Sequence, residues 1–275
     1  MAKISSEDRH QYYGKITPYR NTIKSLLKRE ETVLQIIKRD SRGGAFKRLT
    51  LAEEMAALAS NYIVLDGVCQ SMLKQRNEEA LNDARKSLYK AVIYLEEVVS
   101  PLVDAPYSEY EERLAEIASL DTQKRYSLVR KIGLALTLLK SAYGDNTKWK
   151  WAFVELEGRY AAVAKNIIDL KAAVANTDPR SPDYEPTVYH LTLIKKLLLQ
   201  AADRYREKYE LSTSRIDDFR MGINFLNSLR RIHILLGERD NVETLKKKAD
   251  IWTAKLEMDI KKQEEAVDRK VLNGQ

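Results

Sequence analysis

Helix-breaking residues are scarce in this sequence: ten glycines and six prolines in 275 residues, with three of the prolines, Pro179, Pro182 and Pro186, in one short stretch. That scarcity excludes a turn-dominated fold, because tight turns draw heavily on these two residues. No segment shows the two-residue alternation or β-branched enrichment of a strand, and no repeat period recurs along the chain. The single cysteine, Cys69, excludes an intrachain disulfide framework and a thiolate metal cluster. Long hydrophobic runs are also missing. None approaches the roughly 18 apolar residues of a spanning helix, and the opening MAKISSEDRH carries charges where a signal peptide needs an apolar core. The sequence therefore predicts a soluble, cytoplasmic protein. Phenylalanine is rare too, four against 15 tyrosines. Tyrosine suits half-buried helix faces, where the ring packs inward and the hydroxyl reaches water.

Chemical signatures are equally sparse. Di-iron helical bundles need a Glu-x-x-His pair on each of two helices, and only Glu7 with His10 matches. Asp217 and Asp218 begin an aspartate cluster of the kind that binds magnesium and diphosphate, but Arg220 and Met221 follow in place of a third acid. They serve better at the positive end of their own helix. His10, His190 and His233 have no zinc-ligand spacing. His233 neighbours Leu229 and Leu236 and reads as a hydrogen-bonded histidine at the edge of a core. Cys69 falls within an apolar seam and reads as an inert buried thiol. Gly43 and Gly44 lack the other glycines, lysine and hydroxyl of a phosphate-cradling loop. Neither a metal nor a cofactor nor a small-molecule substrate is expected, and the sequence gives no positive support for an enzyme.

What is abundant is helical periodicity. A helix over 18–40 carries Ile23, Leu26, Leu27, Val33, Leu34 and Ile37 on one face, with a shorter segment over 5–13 ahead of it, and Gly43-Gly44 ends it. Thr50 with Glu53 and Ser108 with Glu111 have capping-box spacing, Asn77 is the expected cap of the helix containing Leu81, Leu88 and Leu95, and Asp121 or Thr122 opens another. That helix carries Leu128, Ile132, Ala135 and Leu139 on one face and Leu134, Leu136 and Leu138 on others, so it is expected at the centre of a bundle. The segment 147–175 reads as one helix some 40 Å long. Beyond the proline-rich stretch 176–186, three helices follow. Ser214 with Asp217 and Asp240 with Glu243 cap the second and third, and the last seam weakens at Asp259 and Gln263, where the tail is expected to fray. The predicted fold is all-α: an elongated bundle of eight or nine helices, in antiparallel hairpins with a long terminal helix. Residues 1–175 and 187–275 form two candidate domains joined by 176–186, with one continuous domain as the alternative.

Charge is unevenly placed. The whole chain carries +7, made of +7 over residues 1–50, −4 over 51–186 and +4 over 187–275. The leading functional expectation is a non-catalytic scaffold or assembly protein that binds protein partners, or itself, through long helix faces. Trp149, Trp151 and Trp252 are candidate interface residues, since two tryptophans two apart on a helix diverge by about 200° and do not readily share one core. A second expectation is sequence-independent nucleic-acid binding by the basic ends, through Lys24, Lys28, Arg29, Lys38 and Arg39 and through Arg230, Arg231, Lys246, Lys247 and Lys248. A third sets the amphipathic segment 18–40 on an anionic membrane surface, although Glu30 and Glu31 interrupt its basic flank.

Overall fold

The structure, a computed structural model, describes residues 6–145 and 147–272, with side chains from 7 to 265. Among the described residues there are ten α-helices and no strand: α1 Ser6–Arg39, α2 Gly44–Leu73, α3 Glu78–Val98, α4 Glu111–Glu116, α5 Thr122–Tyr143, α6 Lys150–Asn166, α7 Leu170–Ala175, α8 Tyr184–Lys208, α9 Ile216–Leu235 and α10 Arg239–Leu272. They pack in a graded stack. α1 lies chiefly on α2, α2 on α3 and α5, α3 on α6, α6 on α8, α8 on α9, and α9 on α10. The α2–α3 pair is the antiparallel hairpin expected from its seams, with Leu51, Met55 and Leu58 fully buried together with Leu81, Leu88 and Leu95.

Several helix ends differ from the sequence expectation, each for a local reason. α1 is a single helix of 34 residues that runs through Pro18. Gly14 and Pro18 are both exposed, so the carbonyl that proline leaves without an N–H partner faces water. α2 begins at Gly44, six residues before the expected cap, because Gly43 turns the chain with φ of 62°. Thr50 therefore lies inside the helix, donating to the Phe46 carbonyl at 3.1 Å. Ser108 sits in a 3₁₀ turn, Tyr107–Glu109, and Glu111 pairs with Lys171 instead of closing a capping box. Asn77 and Asp121 do cap, accepting from Ala80 N at 3.0 Å and Lys124 N at 2.7 Å.

The expected long helix over 147–175 is broken. α6 ends at Asn166, and α7 restarts from Asp169, whose carboxylate accepts from Lys171 N and Ala172 N. Side chains satisfy the carbonyls left open at this break and in the turns packed beside it. Arg125 of α5, 7 % exposed, donates to the Leu120, Ile167 and Ile117 carbonyls at 2.9, 2.9 and 3.0 Å. His190 of α8 meets the Ala164 carbonyl at 2.9 Å through Nε2. Asn166 donates to Ser100 O and Leu102 O at 2.7 and 3.0 Å. Buried Lys165 reaches Val103 O and Ala105 O at 3.2 and 3.3 Å, and burial lowers its pKa to about 8.

The proline-rich stretch 176–186 is a series of hydrogen-bonded turns that leads into α8. Arg180 N donates to Asp178 Oδ1 at 2.9 Å, Ser181 Oγ to Asn176 Oδ1 at 2.9 Å, and Tyr184 N to Ser181 O at 3.1 Å. Pro186 is buried in the first turn of α8, where a missing N–H costs nothing. The apolar core is continuous across this stretch. At its tightest point Gly158 of α6 leaves room for Tyr205 of α8, whose ring stacks on Phe225 of α9 at 5.6 Å.

α8 ends in a π turn, Tyr209–Thr213, closed by Ser214 N on Tyr209 O at 3.0 Å with Ser214 at φ of 50°. The expected Ser214–Asp217 cap is absent for that reason. Asp218 is the buried acid, accepting from Lys208 at 2.7 Å and Thr213 at 2.6 Å, while Asp217 pairs with Arg220. α10 starts at Arg239, one residue ahead of Asp240. Its polar seam positions are used: Asp259 accepts from the Tyr209 hydroxyl at 2.8 Å and Gln263 donates to Ser214 O at 3.4 Å. The helix continues to Leu272, and the last positions of the tail, 273–275, lie outside the described residues.

Two predictions follow from this packing. A Cβ at Gly158 would meet the Tyr205 ring at 2.5 Å, so Gly158→Ala is expected to destabilise by about 1–3 kcal/mol in urea unfolding. An undisturbed packing would instead give the gain of up to ~1 kcal/mol that alanine offers over glycine in a helix. Burial, opposed by the hydrogen bond to Ala164 and assisted by Arg125, holds His190 near pKa 4, below the ordinary 6.5. The unfolded chain then binds the extra proton between these values. Stability is expected to fall by about 3 kcal/mol as pH drops from 6.5 to 4, and this component of the fall should vanish in His190→Gln.

Candidate partner-binding groove

α5 and α8 run parallel to each other, and α6 runs antiparallel beneath both. Tyr126 meets Tyr189 and His190 at ring distances of 6.1 and 6.0 Å. Farther along, Lys140 of α5 and Arg204 of α8 both reach Glu157 of α6. The two parallel helices are held apart by Tyr160 of α6, which is buried and donates to the Val129 carbonyl of α5 at 2.8 Å. Its hydroxyl occupies the space where a Cβ at Gly133 would sit, only 2.4 Å away. This glycine lets the ring wedge under α5. Burial raises the pKa of the Tyr160 hydroxyl above the ordinary tyrosine value, so it remains a donor at neutral pH.

Above the wedge lies a groove of about 710 Å³. Leu134 and Leu136 line it from α5, Leu193, Leu197 and Ala201 line it from α8, and Tyr160 lies at its base. Leu134 is 59 % exposed and Leu138, one turn on, 45 %. This corrects the expectation that α5 is central in the bundle. Leu128, Ile132, Ala135 and Leu139 are buried as foreseen, and so is Leu136, but Leu134 and Leu138 extend onto an open face. The signal was present in the sequence as apolar residues on more than one side of the helix.

The rim is mainly basic. It carries Arg130, Lys140, Lys196 and Arg204 against Glu157 and Asp203. Glu157 is taken by Lys140 and Arg204, and Asp203 by Lys248 at 2.8 Å. Arg130 and Lys196 have no ion-pair partner among the described residues. An apolar trough with surplus positive charge on its edges can hold the apolar face of a helix and attract acids beside it.

The residues singled out from sequence lie elsewhere. Trp252 is 4 % exposed and packs against Phe219 at 5.8 Å, beneath Arg206 and Lys248. It is a core residue between α9 and α10, not a surface anchor. Trp149 and Trp151 are both half-buried against the core. Trp149 precedes α6 with non-helical ψ of 3° and is covered by Arg85 at 4.1 Å, and Trp151 lies under Lys150 at 4.6 Å. The candidate anion-binding residues are divided between distant layers of the stack. Lys24, Lys28, Lys38 and Arg39 are exposed on α1, where Arg29 pairs with Glu54 at 2.7 Å. Lys246 and Lys247 are exposed on α10, while Lys248 is held by Asp203. Arg230 is half-buried, and Arg231 donates to Asp104 O at 3.0 Å. No single stripe gathers the two sets.

His233 is buried at the end of α9 against Glu238, and Cys69 is a buried free thiol. Among the described residues no three His, Cys, Asp or Glu side chains are grouped to hold a metal ion, and no helix is long and apolar enough to cross a membrane. No curated protein and no solved structure matches this chain. The sequence model of the TP0443 family matches residues 8–260, from the first turn of α1 to well along α10, and the chain thus belongs to the TP0443 family.

Proposed function

We propose that the protein is a non-catalytic helical adaptor that grips an amphipathic helix of a protein partner in the groove between α5 and α8. The observation that carries this reading is the open apolar trough formed by Leu134, Leu136, Leu193 and Leu197 over Tyr160. Leu134 adds little to the folded chain alone, because it remains mostly in water, whereas Leu136 is buried and Leu193 and Leu197 are half-buried against the core. Covered by a partner, Leu134 contributes up to about 1.5–3 kcal/mol and the half-buried leucines less. The lined segments, 130–140 of α5 and 193–204 of α8, extend for roughly 16 Å at 1.5 Å per residue, which matches a partner helix of about three turns. Arg130 and Lys196 favour acidic residues on its flanks.

The test is a fluorescence titration with two synthetic helices that share one leucine face but carry glutamate or lysine flanks. The acidic helix is expected to bind at least about tenfold more tightly, with an advantage that shrinks as salt rises. Leu134→Asp is expected to abolish binding without lowering the melting temperature by more than a few degrees, since Leu134 is mostly exposed. Equal binding by both helices, or full binding by Leu134→Asp, rules the reading out.

A further inference from the structure

α10 is an outer helix of the stack, packed chiefly on α9 through Leu245, Ala249, Trp252 and Leu256. Its opposite side is open to water, yet it is not uniformly polar. Ile251 is 68 % exposed and Met258 60 %. Seven residues apart, they lie on one face, with exposed Ala254 between them. Isolated apolar residues are ordinary on a surface. This stripe is different, because α10 already buries the seam that holds it to the fold. Asp250 and Glu257, also seven apart, flank the stripe on one side and are exposed. Neither has an ion-pair partner among the described residues.

Among the described residues outside the groove, the other helices do not offer this combination. Leu27 and Ile36 of α1 are exposed but nine positions apart, which puts them on opposite sides. Tyr13 and Leu27 share a side, but Arg20 lies between them over the Tyr13 ring at 5.7 Å, and exposed Lys24 and Lys28 follow. Such a face would meet the basic rim of the groove with like charge. Ile234 and Leu235 of α9 are exposed neighbours that diverge by about 100° instead of forming a stripe. α10 alone pairs a straight apolar stripe with free acids, the counterpart of a leucine trough with free Arg130 and Lys196. Ile251 and Met258 are about 10 Å apart at 1.5 Å per residue, so the stripe fits within the length of the groove.

We infer that the helix gripped by the α5–α8 groove is α10 of a second copy of this chain, its Ile251–Ala254–Met258 stripe on Leu134 and Leu197 and its Asp250 and Glu257 beside the basic rim. This assignment rests on the groove as a helix site and names its occupant. The groove and the outer face of α10 are different surfaces of one chain, so the contact is head-to-tail. Each copy that fills one groove still presents its own groove to a third, and the chain assembles into a ring or an open row.

The intact protein is followed by sedimentation velocity from about 1 to 200 μM. Its mean mass is expected to rise with concentration and to fall back as salt is added. Leu134→Asp and Met258→Asp alter mostly exposed side chains, and each alone is expected to stay monomeric. Met258→Asp keeps its groove and is expected to bind the acidic leucine-faced synthetic helix as the native chain does. An equal mixture of the two variants is expected to form a dimer with one copy of each and nothing larger, because one intact groove and one intact α10 face remain. Asp250→Lys combined with Glu257→Lys is expected to weaken assembly about tenfold. A native chain that stays monomeric while the synthetic helix binds overturns the assignment and leaves the groove reading standing. If the chain stays monomeric and the helix does not bind, both fall. Assembly lost in Met258→Asp but kept in Leu134→Asp means that α10 pairs with itself, which also overturns the assignment, as does a mixture that remains monomeric.

Discussion

The fold depends on closing backbone carbonyls at places where helices stop inside the protein. α6 ends among its neighbours, so its last carbonyls have neither a helical partner nor free access to water. Arg125 from α5 and His190 from α8 supply the missing donors, while Asn166 and Lys165 do the same for the loop between α3 and α4. A buried guanidinium on three carbonyls gives up hydration that only several good hydrogen bonds can replace. The arrangement therefore holds α4, α5, α6 and α8 in one relative position, and the short α7 follows from it. Without these donors, the buried end of α6 would be untenable.

Around that fixed end, the stack is tuned by how closely helices approach. Gly158 admits the Tyr205–Phe225 pair and draws α6, α8 and α9 together. Gly133 does the reverse, since the space it leaves is filled by Tyr160, which spaces α5 from α8. One glycine makes a seam and the other makes a groove. The π turn after α8 belongs to the same scheme: its extra residue lets Tyr209 stack on Phe219 at 4.8 Å and meet Asp259 of α10. The terminal helix is thus fastened by a polar contact where its hydrophobic seam runs out.

The helical class and many of the boundaries were legible because they rest on local chemistry. Asn77 and Asp121 cap the helices whose first turns they precede, and Gly144 and Gly237 stop helices with φ of 72°. Capping-box spacing misled at Thr50 and Ser108, where Gly43 and the turn at Tyr107 had already fixed the chain direction. The break between α6 and α7 was hidden for another reason. Its stabilising contact joins Arg125 to Ile167, 42 residues apart, and leaves no periodic trace. The groove was visible as surplus leucine on α5, but amphipathic periodicity does not distinguish an inner face from an outer one. The burial of Thr187 and His190 had no sequence signal, because each residue alone is ordinary in a helix.

The parallel course of α5 and α8 has a directional consequence. Their backbone dipoles add rather than cancel, and the groove lies nearer the ends of the two helices, at Tyr143 and Lys208, than their starts, so its bias is the partial negative charge of the two helix ends, up to about half an elementary charge each. α6 already lies beneath them in the opposite sense. A helix lying in the groove meets the same bias from above, and the arrangement with its amino end beside Tyr143 and Lys208 is favoured over the reverse. On the proposed reading, the groove would select not only the composition of its partner helix but the chain polarity in which it lies.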